Sequence, residues 1–102
     1  MPIDPKHAAY LRQRANLYRE NAAECYDLAK EESDADEASE LREDGEFQAE
    51  IAQDYDTLAE KLDADQLDDA RVFFREWDTN ERETVLDESE ETYRLLRGDD
   101  NG

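Results

Sequence analysis

The sequence predicts an all-α protein: an antiparallel two-helix hairpin with an Ala-rich heptad seam, plus two shorter C-terminal helices. Three observations predict it. Small and apolar residues recur at alternating spacings of three and four along two long stretches, the period of a helix face. Capping and turn residues fall where each stretch ends. Only three Gly and two Pro interrupt the chain.

The first helix starts at Asp4, a good N-cap. Pro5 follows in the first helical position, where its missing N–H is of no consequence. Its seam runs Ala8, Leu11, Ala15, Tyr18, Ala22, Cys25, Ala29, with Tyr10, Leu17, Tyr26 and Leu28 widening it. The pattern fails after Lys30, where Ser33, Asp34 and Asp36 supply turn and capping chemistry. The second seam is Ala38, Leu41, Gly45, Gln48, Ala52, Tyr55, Ala59, Leu62, flanked by Ile51 and Leu58. Its phase continues through Gly45, which favours one helix over about 36–63. The alternative is a break at Asp44-Gly45, because Gly inside a helix costs about 1 kcal/mol relative to Ala.

Every a position of both seams is Ala or Gly, whereas the d positions are mostly larger. Small residues on one ridge let two helices approach closely, and a short connection makes them antiparallel neighbours. Beyond the hairpin, Asp63 and Gln66 have the spacing of a capping box. The third helix then carries Leu67, Ala70, Phe74 and Trp77 on one face. Asp78-Thr79-Asn80 reads as a turn. The last helix carries Val85, Leu86, Ser89, Tyr93 and Leu96, with Arg94 and Arg97 in its final turn, where cations suit the helix dipole. Gly98 is its expected stop. Residues 1–98 therefore read as a single helical domain and 99–102 as a disordered acidic tail.

Charge dominates the composition. Asp and Glu number 31 against 12 Lys and Arg, for a formal net charge of −19. Leu, Ile, Val and Phe make up about 17% of the chain, a level that with such charge marks disorder. Pattern and composition thus disagree: the pattern is that of ordered helices, and the composition implies a fold of small margin in dilute buffer. Only three of the 12 basic residues are Lys (Lys6, Lys30, Lys61). An Asp-rich, Lys-poor, small-core chain resembles the proteins of halophilic archaea that keep molar salt inside the cell. The resemblance covers the whole chain, is compositional, and implies adaptation to high salt. At molar salt the Debye length falls to about 3 Å, so surface carboxylates stop repelling one another.

Chemistry-bearing constellations are sparse. His7, the single histidine, lies in the first turn of a helix and reads as a solvated surface residue. Glu-x-x-His pairs for a carboxylate-bridged di-iron site are lacking, as are the several Cys or His that zinc needs. Asp34-Ala35-Asp36 and Asp63-Ala64-Asp65 begin like calcium loops but lack the following Gly. Cys25, the only cysteine, sits on the apolar seam as a packed thiol and leaves no internal disulfide. The expectation is a non-enzyme without cofactor or specific metal. The absence of a signal peptide or an apolar run near ~20 residues implies a cytoplasmic protein that does not enter membranes.

Three features could bind a partner. Arg12, Arg14 and Arg19 lie beside the first seam in an otherwise acidic chain, either pairing across the hairpin with Asp54, Asp56, Glu60 or Asp63, or forming a docking patch. Phe73 and Trp77 belong to the aromatic cluster Val72–Trp77. Tyr10, Leu17, Leu28, Ile51 and Leu58 are left over from the seams and could form a second apolar stripe. These point to a protein–protein interaction or assembly module that docks on a protein partner or on itself. The competing functions are an acidic nucleic-acid mimic occupying a DNA-binding protein, and a structural or adaptor protein of an archaeal virus. Direct nucleic-acid binding is disfavoured, because a net charge of −19 repels phosphates.

Overall fold

A computed structural model describes residues 3–98. Five helices are present among them: α1 (Pro5–Glu31), α2 (Ala35–Asp63), α3 (Leu67–Arg75), α4 (Thr79–Glu88) and α5 (Glu90–Arg97). No strand occurs among the described residues. The tail expected over 99–102 lies outside them. The chain falls into two compact units. Residues 9–57 form a hairpin unit, and residues 3–8 with 58–98 form a terminal unit.

In the hairpin unit α1 and α2 pack against each other in antiparallel fashion. Tyr18 stacks on Tyr55 with ring centroids 5.6 Å apart, Arg19 pairs with Asp56, and Tyr26 lies against Gly45. Residue numbers rise along one helix as they fall along the other. The seam faces inward as its spacing predicts. Ala8, Ala15, Ala22 and Ala29 are buried, as are Ala38, Gly45, Ala52 and Ala59. Chain reversal is short because Asp34 caps α2: its Oδ1 accepts the amides of Asp36 at 2.9 Å and Glu37 at 3.4 Å. Those are two of the four amides a helix start leaves without an internal partner.

α2 does not break at Asp44-Gly45. The position of a Gly45 Cβ would fall 2.9–3.1 Å from three atoms of the Tyr26 ring. A side chain at this position would have to displace that ring, so glycine lets Tyr26 rest directly on the α2 backbone.

The start of α1 is as read from the sequence. Asp4 Oδ1 accepts the Lys6 amide at 3.0 Å, and Asp4 O accepts that of His7 at 3.2 Å. The capping box of Asp63 and Gln66 does not form. Asp63 closes α2, and Gln66 precedes α3 without a side-chain cap. Asp65 instead takes a left-handed backbone, φ 59°. The Gln66 amide reaches Lys61 O at 2.9 Å and the Asp65 amide reaches Leu62 O at 3.1 Å. That pair of bonds is a Schellman stop, which absorbs the last carbonyls of α2 and turns the chain toward α3.

The C-terminal segment holds three short helices, not two. Thr79 and Asn80 are not a turn; they begin α4, with Asp78 ahead of them. Ser89 then leaves the helical region at φ −149°, ψ 84° and separates α4 from α5. Its hydroxyl donates to Thr92 Oγ1 at 2.8 Å, the local side-chain bond by which serine competes with helix continuation. Break and hydrogen bond together turn α5 back onto α4 and α3. Ala70, Phe74, Trp77, Val85 and Leu96 are buried in this unit. Arg71 Nε donates to Leu95 O at 2.9 Å, and Gly98, at φ 91°, ends α5 as expected.

Candidate functional site

The apolar residues singled out from sequence separate into three groups. Ile51, Leu58 and Trp77 are core residues, 8%, 0% and 9% exposed, so they are withdrawn from any binding surface. Ile51 and Leu58 flank the second seam and widen its buried face. The Trp77 ring is held by Phe74, 5.3 Å away between centroids. Tyr10 and Phe73 are half-buried, and Phe73 faces the Lys61 ammonium at 5.9 Å and the Trp77 ring at 6.2 Å. Leu17 and Leu28 are exposed.

Val72, in the cluster singled out from sequence, is 55% exposed; Phe47, at 59%, and Leu86, at 37%, were not foreseen as exposed. Phe47 stands out of phase with the second seam, two residues past Gly45. That offset was the available signal.

In the hairpin unit, next to the chain reversal, Leu28 and Leu41 floor a concavity of about 540 Å³ rimmed by Glu31, Glu37, Glu40 and Asp44. Of the three arginines, Arg19 pairs with Asp56 and contacts Asn16 Oδ1 at 3.4 Å. This is the cross-hairpin pairing rather than a free patch. Arg14 lies over the Tyr18 ring, 5.0 Å from its centroid, and donates to its hydroxyl at 3.2 Å. Arg12 is exposed. Asp54 is pushed above the ordinary carboxylate range, first by burial and then by Glu50 nearby.

In the terminal unit His7 is not solvated. It is 7% exposed, and its Nδ1 lies 2.8 Å from Thr92 Oγ1. The Thr92 hydroxyl also accepts from Ser89, so three side chains form one hydrogen-bonded chain. Burial, and secondarily the Lys6 charge, holds the imidazole below its ordinary value. Lys6 and Glu91 form a surface ion pair beside it. Their hydrogen bond raises the Lys6 ammonium and lowers the Glu91 carboxyl. Sequence reasoning could not find this cluster, because His7 and Thr92 are 85 positions apart. The serine hydroxyl is separated from the imidazole by the single hydroxyl of Thr92. The arrangement ties the first turn of α1 to α5.

No group of three or more His, Cys, Asp or Glu among the described residues could hold a metal ion. No helix among them is long and apolar enough to cross a membrane. Compared with protein-family models, with curated proteins and with solved structures, the chain gives no match.

Proposed function

We propose that this chain is a non-catalytic protein–protein interaction module, a helical hairpin that docks by its exposed apolar side chains and works in concentrated salt in the cytoplasm. The observation that carries the reading is the exposure of Leu17, Leu28 and Phe47 on the hairpin unit, at 44%, 47% and 59%. Burying a side chain of this size gains about 1.5–3 kcal/mol. A chain so short of apolar residues that leaves three of them in water has a use for them outside its own core. The composition supports the high-salt setting, since a core this small against a charge of −19 is at ease only where repulsion is screened.

A second copy of the chain is the occupant to test first. Light scattering after size exclusion in ~2 M KCl, where charge repulsion is screened, is expected to give a dimer or larger species. Phe47→Glu and Leu28→Glu are expected to run as monomers with unchanged helicity. A monomeric parent protein, with binding of an apolar dye unaltered by either substitution, overturns the reading.

A further inference from the structure

The terminal unit contains a site of the opposite character to the rest of the molecule. A concavity of about 470 Å³ has the Phe74 and Tyr93 rings in its wall, and Arg75, Arg82 and Arg97 around them. Among the described residues its one carboxylate is Glu83. Three of only 12 basic residues in the chain thus meet at one place. They come from α3, α4 and α5, so tertiary packing and no local pattern assembles them. The aromatic pair is itself ordered, with Phe74 and Tyr93 edge to face at 6.0 Å and the Arg97 guanidinium 5.9 Å from the Tyr93 ring centre.

Arg82 is preorganised. Its Nη1 donates to Arg75 O and its Nη2 to Thr79 Oγ1, both at 3.2 Å. A guanidinium has five N–H donors, so three remain after these bonds are made. The volume falls in the usual range for small-ligand sites, about 300–1,000 Å³. An aromatic wall recognises a flat apolar body, and a guanidinium fork held in place, as that of Arg82 is, recognises a planar carboxylate.

We propose that this pocket binds a small organic anion, a carboxylate carried on a flat aromatic body. The charge of the whole molecule selects the size of the ligand. A nucleic acid or another strongly acidic macromolecule meets the field of −19 charges along its length, whereas a monoanion meets it once. Glu83 on the rim disfavours doubly charged phosphate relative to a single carboxylate. The site is built of terminal-unit residues alone, and the proposal does not depend on the docking function.

The test is isothermal titration calorimetry of the full chain in KCl, with 2-naphthoate, the uncharged 2-naphthylmethanol and inorganic phosphate as probes. Saturable binding of naphthoate is expected, with naphthylmethanol and phosphate each weaker by about tenfold or more. Arg97→Gln and Arg75→Gln, which leave the Arg82 hydrogen bonds in place, are each expected to weaken naphthoate about tenfold. Arg42→Gln, on α2, is expected to leave it unchanged. Circular dichroism of each variant shows whether it is folded. Equal binding of naphthoate and naphthylmethanol, or of naphthoate and phosphate, overturns the proposal. So does naphthoate binding that survives in both folded arginine variants.

Discussion

His7 shows how far one residue's setting can depart from its place in the sequence. A histidine in the first turn of a surface helix is ordinarily hydrated. Here Thr92 from α5 covers it and bonds its Nδ1. Because burial lowers the folded pKa below the unfolded value of about 6.5, the unfolded chain takes up the proton first on acidification. Stability from this site is therefore full above about pH 6.5 and declines as the pH falls toward the folded value. The Lys6–Glu91 pair acts lower on the scale: Glu91, held below its ordinary value, loses its contribution only as the pH falls through its depressed pKa. Asp54 has the opposite sign, since its raised carboxyl favours the folded state as acid protonates it. In thermal melts at constant high KCl, the midpoint is expected to fall between pH 7.5 and 5.5, and His7→Gln to flatten that slope. A variant that retains the full slope would assign it to other groups.

At the scale of the helix, the instructive element is α2. Its length and inward face were legible because eight seam positions share one period, and seven of them are not glycine. What the pattern left open was whether Gly45 ends the helix, and only the Tyr26 ring resting on it settles that. Replacing Gly45 by Ala removes about 1 kcal/mol of propensity penalty but sets a methyl against that ring. Gly45→Ala alone is expected to destabilise by about 1 kcal/mol, and in a Tyr26→Ala background to stabilise by about the same amount. Chemical denaturation of the four proteins measures the coupling; simple additivity would show that the ring yields freely. The shorter helices were less legible for a related reason. Splitting α4 from α5 depends on the Ser89 hydroxyl finding Thr92, and the turn into α3 on Asp65 accepting a left-handed backbone. Neither residue type announces that choice. The arginine pocket was invisible for the same cause, as Arg75, Arg82 and Arg97 share no period. Arg97 was legible only as a helix-end cation, and the leftover apolar residues divided into buried and exposed only once helix contacts were known.

For the whole molecule the decisive quantity is the imbalance between carboxylates and core. Such a chain gains from salt in two ways, through screening at low concentration and through strengthened apolar burial as salt becomes concentrated. Helicity followed by circular dichroism is expected to rise steeply between roughly 0.1 and 2 M KCl, with the thermal midpoint rising alongside. A protein already fully helical and equally heat-resistant in dilute buffer would not be adapted to brine.

The terminal unit draws its first turn from residues 3–8 and the remainder from 58–98. A polypeptide emerging from the ribosome therefore offers His7 and Lys6 long before Glu91 and Thr92 exist to receive them. The hairpin unit is contiguous in sequence and can zip from its reversal during synthesis, whereas fastening residues 3–8 to α5 awaits synthesis of the whole 58–98 segment. A chain stopped short of Glu91 would carry a folded hairpin unit with residues 3–8 unfastened, and proteases would find their first foothold there.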